Sequence, residues 1–255
     1  MSERLRRFNI AAGRFFFRRR NTLFPIAFSI FLLTLRTHLS LGHSAFHRLQ
    51  TWTGFLVAIA GELVRLGTIG FEYIERGGKQ GRVHANRLVQ KGFYGLTRNP
   101  MYVGNLLIAT GIVMASGAPL AYVTVIPFFC FVYQAIVSAE EEFLRGKFGR
   151  EYEDYCARVP RFLPSFRGWR QAFSETRFNW RRPFKQDLST VAWVGMVLVA
   201  LPCWRAYSLR GWASTKTLAW RTGISEMGIL AFYGFLILLK KQKSPLFYAE
   251  RGREN

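Results

Sequence analysis

The feature that most constrains this chain is an apolar hairpin near its centre. Between Gly104 and Glu140 lie about 35 mostly apolar residues, enough for two membrane crossings joined by a tight turn. Residues 116–119 (Ser-Gly-Ala-Pro) interrupt this stretch, and glycine and proline are strong helix terminators. Because so short a connection permits only an antiparallel hairpin, both ends are expected at the same membrane surface. The polar residues at those two ends should therefore lie close together.

Six apolar segments recur along the chain. They predict an all-α, polytopic membrane protein with about six membrane-embedded helices plus amphipathic interfacial helices. Several segments are shorter than the ~20 residues that a full span prefers, but flanking Arg, Lys and Trp side chains extend their reach. The first and the fifth are alternatively interfacial or re-entrant helices. The segments are residues 22–35, 51–71, 102–117, 119–137, 188–204 and 223–239.

The chain is strongly basic, with 36 lysines and arginines against 15 aspartates and glutamates, a formal charge of +21. Nucleic-acid-binding proteins are also basic, but their charges cluster on faces of polar elements. Here the basic residues concentrate in the N-terminal tail, in residues 76–98 and 145–185, and after residue 239. That alternation is typical of a multi-pass protein of an inner or plasma membrane with both termini cytoplasmic. The expected partners are anionic lipid headgroups, and no nucleic acid.

Two charged residues interrupt the second apolar segment. Glu62 and Arg65 are three residues apart, so they can pair on one helix face. Charges inside a span are costly and should face protein or a polar cavity. The residues alone leave two interpretations open: a self-neutralising structural pair, or the border of a cofactor pocket.

The fourth segment is expected to continue beyond the membrane as an amphipathic surface helix. Its apolar and acidic residues recur at three- and four-residue steps from Glu140 to Tyr152, with an interruption at Gly149. Residues 161–185 are rich in aromatic and cationic side chains, which is typical of a segment lying on the bilayer.

The polar residues at the first mouth of the hairpin suit an anion. Pro100 disfavours helix at Asn99, so residues 92–100 are expected to form a non-helical entry to the third segment. Arg98 and Asn99 then present donors near a helix N-terminus. Arg98 can grip a carboxylate through two parallel hydrogen bonds.

The residues at the second mouth suit the opposite charge. Glu140 and Glu141 match a cationic or hydroxyl-rich group, and Tyr94 and Tyr102 can contact a cation through their ring faces. A ligand that carries both a carboxylate and a positive centre matches both mouths, and S-adenosyl-L-methionine is such a ligand. Alternatively, Arg98 and the two glutamates form salt bridges with one another, which is common in proteins. The spacing leaves both interpretations open.

The two polar stretches form a combined motif. Residues 92–104 follow the pattern Gly-x-Tyr-x-x-x-Arg-Asn-Pro-x-Tyr-x-Gly, and residues 140–155 follow Glu-Glu-x-x-Leu-x-x-x-Phe-Gly-x-x-Tyr-x-x-Tyr, with Val-Pro-x-x-x-Pro at 159–164. In this order, and on either side of a hairpin, they resemble the isoprenylcysteine carboxyl methyltransferase and phospholipid methyltransferase family. The resemblance covers roughly residues 61–164. Many relatives have His where Asn99 stands, so proton transfer by a histidine is excluded at this position.

The resemblance implies an integral membrane methyltransferase that uses S-adenosyl-L-methionine at a site open to the cytosol. Tyr94 is expected to contribute a ring contact to the cofactor. Arg98 and Glu141 are the expected catalytic residues, because a cation can orient a carboxylate acceptor and a glutamate can take a proton from an amine. The cofactor or reaction site is implied to be lined by Arg98, Asn99, Pro100, Tyr102, Glu140 and Glu141.

The expected domain organisation has three parts. Residues 1–50 hold a basic tail and the first membrane helix, residues 51–164 the methyltransferase core, and residues 165–255 an interfacial segment with a C-terminal pair of membrane helices. The expected substrate is a membrane lipid or lipophilic small molecule: a prenylcysteine-like or other carboxylate, or a lipid amine. The alternatives are an NADPH-dependent membrane reductase of the steroid-reductase type and a non-catalytic lipid-binding membrane protein.

No metal site is predicted. Three cysteines have no repeating spacing, which gives neither a disulfide framework nor a zinc motif. His43 and His47 are four residues apart, as ligands on a helix would be, but no acidic partner or third ligand is near them in sequence.

Overall fold

The computed structural model describes residues 3–34, 45–72 and 87–242, and the regular structure over those residues is entirely helical. A short 3-10 turn, Gly92–Gly95, precedes the third helix. This architecture confirms the predicted all-α class. The helices in chain order are α1 Glu3–Thr34, α2 Ala45–Phe71, α3 Pro100–Ser116, α4 Pro119–Phe148, α5 Arg150–Arg158, α6 Trp169–Phe173, α7 Arg181–Gln186 and α8 Leu188–Lys241.

Over the described residues, four helical stretches are long and apolar enough to cross a membrane, and α3 is a shorter apolar helix between two of them. The long stretches bury only a minority of their surface inside the protein, which is the expected property of helices surrounded by lipid. The chain is therefore a polytopic integral membrane protein. The four stretches are Arg48–Phe71, Pro119–Phe148, Leu188–Ser208 and Arg210–Lys241.

The central hairpin is formed by α3 and α4, as predicted. Gly117 ends α3 in the left-handed conformation (φ 67°), and its N–H donates to the Val113 and Met114 carbonyls. Pro119 then starts α4, where its missing N–H costs no helical hydrogen bond. Glycine after a helix and proline at the start of the next produce the tight antiparallel turn.

Helices α2 and α3 pack with their backbones in near contact. A Cβ atom on Gly61 would lie 2.6 Å from the Gly104 carbonyl oxygen, and one on Gly54 would lie 2.6 Å from that of Gly111. A Cβ on Gly111 would lie 2.4 Å from the Ala58 nitrogen. Small residues at a helix interface permit this close approach in membranes, where van der Waals packing drives helix association. The four glycines thus fix α3 tightly against α2.

Helix α1 runs antiparallel to α4. Arg6 Nη1 lies 3.4 Å from Glu142 Oε2, and the ring centroids of Phe16 and Phe131 are 5.8 Å apart. Gly13 approaches the Ala135 carbonyl so closely that a Cβ would overlap it. Helix α1 includes the basic residues that precede the first apolar segment, because the glycine and phenylalanines among them pack on α4.

Helix α8 is a second antiparallel hairpin. Its backbone leaves helical geometry at Gly211 (φ 74°, ψ 176°), which divides the limbs Leu188–Ser208 and Arg210–Lys241. Ile229 on the second limb lies opposite Gly195 on the first, and Lys240 Nζ donates to the Lys185 carbonyl at 2.6 Å. The two limbs are therefore longer than the predicted apolar segments 188–204 and 223–239. The charged residues between those segments are good helix formers, and a single glycine makes the turn.

The segment between α5 and α8 returns to the end of α2. The Phe71 ring packs edge-on against Phe173 and Phe178, with centroids 4.9 and 5.2 Å away. The Asn179 N–H donates to the Gly70 carbonyl at 2.8 Å. This stretch was predicted to lie on the bilayer, and Trp169 within it is exposed.

Candidate cofactor site

Over residues 96–99 the loop before α3 has the non-helical form predicted from Pro100, whereas residues 92–95 of the predicted loop form a 3-10 turn. Asn99 has a non-helical backbone conformation at the N-cap position (φ −132°, ψ 52°), and Pro100 is the first residue of α3. The 3-10 turn Gly92–Gly95 precedes it, and its Gly92 adopts a positive φ of 61°. The loop thus delivers residues 97–99 to the mouth of the central hairpin.

The segment after α5 holds this loop in place. The Arg98 N–H donates to the Pro160 carbonyl at 2.9 Å, and the Ser165 N–H donates to the Leu96 carbonyl at 2.9 Å. Asn99 Nδ2 donates to the Arg161 carbonyl at 2.9 Å. The Val-Pro-x-x-x-Pro segment and the Arg-Asn-Pro segment therefore lie side by side, joined by backbone and side-chain hydrogen bonds.

The two mouths of the hairpin meet in a buried ion-pair cluster. Arg98 Nη1 lies 3.1 Å from Glu141 Oε1, and Arg161 Nε lies 3.1 Å from the same oxygen. The side chains of Arg98 and Glu141 are only 13% and 9% exposed. Arg161 Nη2 also donates to Ser138 Oγ at 3.0 Å. One carboxylate thus faces two guanidinium groups, so the three side chains carry a net positive charge.

Arg98 retains a donor for a further acceptor. Its Nε atom is buried and makes no hydrogen bond to any residue that the structure describes. Its Nη1 atom also contacts Cys156 Sγ at 2.6 Å. Burial lowers the pKa of Arg98, but the interactions with Glu141, Cys156 and Tyr152 together outweigh burial and leave the pKa above its usual value. Arg98 is therefore a permanent cation with an unused N–H.

Glu140 lies beside Glu141 at the same mouth. Its Oε1 accepts from the Tyr102 hydroxyl at 2.7 Å. The Tyr102 ring lies 5.2 Å from the Tyr133 ring, and Tyr133 is itself 5.8 Å from Phe129 in a stacked arrangement. An acidic group on an aromatic wall is the combination that suits a cationic or hydroxyl-bearing ligand.

Tyr152 closes the cluster from α5. Burial, with the charge of Glu141 next, raises the pKa of Tyr152, so its hydroxyl stays neutral over the physiological range. Tyr155 on the same helix donates to the Tyr94 carbonyl at 2.8 Å. Helix α5 follows Gly149, whose φ of 51° and ψ of −124° turn the chain back from α4.

The structure brings most of the predicted site residues together. Tyr94 is 2% exposed and packs within the protein beneath the loop. Arg161 and Cys156 belong to the cluster but were not predicted, although both lie in or beside the quoted second motif. The residues that meet at the mouth are Arg98, Asn99, Pro100, Tyr102, Glu140 and Glu141.

The described residues contain no group of three His, Cys, Asp or Glu side chains placed to hold a metal ion. His38 and His43 lie outside those residues, as does the side chain of His47. A cavity of about 440 Å³ lies between the limbs of α8, near Trp204 and Trp212, at the end away from Arg98. Because its walls are largely apolar, we assign the candidate site by the chemistry of the Arg98 cluster instead.

A family profile described as phospholipid methyltransferase matches residues 49–151. This range holds α2, α3, α4 and most of the polar cluster. Residues 49–151 belong to the phospholipid methyltransferase family. The match covers less than half of the chain, and Arg161 lies just beyond the end of this methyltransferase-family domain.

Individual proteins resemble part of this chain at moderate identity. The cobalt-zinc-cadmium resistance protein CzcN of Cupriavidus metallidurans is 36% identical over 129 residues, 48% of this chain and 55% of that protein. A rice protein named "Probable protein-S-isoprenylcysteine O-methyltransferase" is 32% identical over 122 residues, 45% of this chain and 61% of that protein. In both, the match spans less than two thirds of the relative.

A longer match extends over most of this chain. The nickel-cobalt-cadmium resistance protein NccN of Alcaligenes xylosoxydans xylosoxydans is 27% identical over 190 residues, 72% of this chain and 83% of that protein. No solved structure matches the chain.

Proposed function

We propose that this protein is an S-adenosyl-L-methionine-dependent methyltransferase that acts on a lipophilic substrate at the membrane surface. The observation that carries the proposal is the meeting of Arg98 and Glu141, 3.1 Å apart, at the mouth of the central hairpin. The family match supports the same reaction class.

The donors and acceptors of the cluster fit the cofactor. S-adenosyl-L-methionine supplies a methyl group on a sulfonium, together with an amino-acid carboxylate and ribose hydroxyls. The unused Nε of Arg98 and the net positive charge beside it suit the carboxylate. Glu140, on the Tyr102 side, suits the hydroxyls or the positive centre. We therefore assign cofactor binding to Arg98, Asn99, Pro100, Tyr102, Glu140 and Glu141, with Tyr94 supporting the loop from beneath.

The chain's own side chains have two tasks in methyl transfer. They must orient the acceptor and exclude water, since in-line displacement depends mainly on positioning. A carboxylate acceptor needs only a cation, and Arg98 is permanently charged. An amine acceptor must lose a proton, and Glu141 is the nearest carboxylate to Arg98.

A lipid-bearing acceptor is supported by the location of the site. The cluster lies at the end of membrane helices, and exposed aromatic residues such as Trp169 and Trp180 lie in the adjoining segment. The acceptor classes that fit are a prenylcysteine-like or other carboxylate, in line with the name of the rice relative, and a lipid amine, in line with the family description. The basic segment over residues 161–185 suits anionic headgroups at a cytoplasmic membrane face.

The cofactor assignment is tested by equilibrium binding of radiolabelled S-adenosyl-L-methionine to the detergent-purified protein. Arg98→Ala and Glu141→Ala should each weaken binding by about tenfold or more, because each removes a charged partner at a buried site. Glu142→Ala is the matched control, since Glu142 is adjacent in sequence but pairs with Arg6 at the surface. Binding that is unchanged in both site variants would contradict the assignment.

The same preparation separates the competing functions. NADPH titration of the parent protein, followed by ultraviolet absorbance, would detect the steroid-reductase type of activity. A protein that binds neither cofactor would instead be a lipid-binding module. Mass spectrometry of membrane lipids, with and without the protein, should reveal a species heavier by one methyl group and so identify the acceptor.

A further inference from the structure

The carboxylate of Asp187 lies outside the range of the family match, residues 49–151, but it contacts a residue within that range. Asp187, which precedes α8, accepts from Arg65 of α2 on both carboxylate oxygens: Nε donates to Oδ2 at 3.1 Å, and Nη2 donates to Oδ1. The two side chains are 4% and 10% exposed. A buried, two-bond pair between arginine and carboxylate is geometrically specific, so it fixes the start of α8 relative to α2.

Because Asp187 contacts Arg65, its side chain does not cap the N-terminus of α8. It occupies the N-cap of α8, where an Asp side chain ordinarily accepts from the first free N–H groups of the helix. Its side chain makes no such cap hydrogen bond, and its backbone carbonyl accepts from the Thr190 and Val191 N–H groups at 2.9 and 3.0 Å. The carboxylate is turned to Arg65 instead. The tertiary contact has therefore displaced the capping contact.

Arg65 extends the contact to the helices of the central hairpin. Its Nη1 donates to Asn105 Oδ1 on α3. Asn105 lies three residues after Tyr102 on α3, so the two residues are neighbours on that helix. The guanidinium group thus joins α2, α3 and α8 at one point, one turn of α3 away from Tyr102.

The path continues into the candidate cofactor site. The Tyr133 ring lies 5.2 Å from the Tyr102 ring, and the Tyr102 hydroxyl donates to Glu140 at 2.7 Å. The steps from Asp187 to Arg65, from Arg65 to Asn105 and from Tyr102 to Glu140 are therefore direct hydrogen bonds, and Asn105 is joined to Tyr102 through one turn of α3.

Glu62 provides an alternative partner for Arg65. Its Oε2 lies 3.9 Å from Arg65 Nε, and neither carboxylate oxygen makes a hydrogen bond to a described residue. If Asp187 lost its charge, Arg65 would be attracted along α2 to Glu62. That movement would withdraw the guanidinium from Asn105.

We propose, on the basis of the function proposed above, that Asp187 is a positioning residue for the cofactor site. It holds Arg65 on Asn105, and this contact keeps Tyr102 oriented toward Glu140. The C-terminal hairpin is accordingly part of the methyltransferase unit, because its first residue sets the geometry of a site formed by the family domain.

The test is a double-mutant cycle on cofactor affinity in the detergent-purified full chain. Asp187→Asn keeps the shape and removes the charge, and it should raise the dissociation constant for S-adenosyl-L-methionine by about 2- to 30-fold. In a Tyr102→Phe background the same substitution should have little further effect, because the contact that it acts through is already lost. Glu175→Gln is the matched control. It removes an exposed ion pair with Lys91 that also joins the C-terminal segment to the family domain, and it should leave affinity unchanged.

Three results would contradict the proposal. Affinity of the Asp187→Asn protein within twofold of the parent, or an equal loss in the parent and in the Tyr102→Phe background, overturns the positioning role alone. Absence of cofactor binding by the parent protein overturns the proposed function as well. If Asp187→Asn does not fold, Asn105→Leu enters the same path from α3, and its effect should likewise disappear in the Tyr102→Phe background.

Discussion

At the scale of single residues, the candidate site depends on one carboxylate that faces two guanidinium groups. Glu141 Oε1 lies 3.1 Å from both Arg98 and Arg161, and all three side chains are largely buried. In such a site, removal of one charge lowers the stability by more than the intact ion pair contributes to it. The remaining charges are then buried away from water and have no charged partner. The stability of the mouth should therefore be sensitive to Glu141 and much less sensitive to the half-exposed Glu142.

We expect Glu141→Gln to reduce the free energy of unfolding by about 3–5 kcal/mol, because it leaves two buried cations without a counter-charge. Glu142→Gln is the matched control: the same change one residue along the chain disrupts only a half-exposed pair with Arg6, and should cost no more than about 1 kcal/mol. Thermal unfolding in detergent compares the two. Equal midpoints for both variants would show that the Glu141 cluster is not a buried ionic site.

The residues of this site were predictable to different degrees. Arg98 and Glu141 stand at the two ends of a tight hairpin, and the topology of the hairpin was enough to bring them together. Arg161 comes from a segment beyond α5, and its approach depends on the backbone hydrogen bonds between residues 96–99 and 160–165. Such a return of the chain leaves no periodic signal in the sequence. The same reason explains why Asp187 was not predicted as the partner of Arg65.

At the scale of helices, the packing of α2 on α3 depends on the absence of side chains. Gly111→Ala would place a methyl group 2.4 Å from the Ala58 nitrogen and 2.5 Å from the Gly54 oxygen, both of which are backbone atoms that cannot move aside singly. We expect a loss of about 1–3 kcal/mol from overpacking. Gly146→Ala in α4, which has nothing within 4 Å, should instead stabilise by about 0.5–1 kcal/mol. Midpoints that shift in the same direction would contradict this interface.

Two glycines of α8 allow the effect of backbone conformation on stability to be tested separately from the effect of the space available to a side chain. A Cβ at Gly211 and one at Gly223 would each meet nothing within 4 Å, but only Gly211 has a positive φ, 74° with ψ 176°. That region is accessible to glycine almost alone, so Gly211→Ala should cost about 1–3 kcal/mol. Gly223→Ala should be neutral or stabilising. Thermal unfolding of the two variants tests the position of the turn, and a destabilised Gly223→Ala with a neutral Gly211→Ala would contradict it.

The turns of the two helical hairpins were predictable from the sequence to different degrees. Gly117 and Pro119 mark the first turn unambiguously, since each has the conformational preference that its position requires. The second turn is preceded and followed by arginines and lysines, which are equally compatible with a polar loop and with the exposed face of a helix. Only the backbone geometry at Gly211 distinguishes the two, so the extent of α8 was not predictable.

At the scale of the whole molecule, the helices place all the candidate chemistry at one end. The mouth of the central hairpin, α5 and the start of α8 lie together, joined by the Arg98 cluster and by the pair of Arg65 with Asp187. The turn at Gly211 lies at the other end of the C-terminal hairpin, because Lys240 returns to Lys185. If the four long helices span the bilayer, the site must open to one compartment only.

The distribution of charge predicts which compartment that is. Residues 145–185 at the site end are densely basic, and the positive-inside rule assigns such a segment to the cytoplasm. In a background with the three natural cysteines replaced by alanine, Ser214→Cys near the α8 turn should react with a membrane-impermeant maleimide in intact cells. Glu153→Cys on α5, which is exposed, should react only after permeabilisation. The reverse pattern would place the site outside the cytoplasm, whereas labelling of both positions from one side would mean that α8 does not cross the membrane as a hairpin.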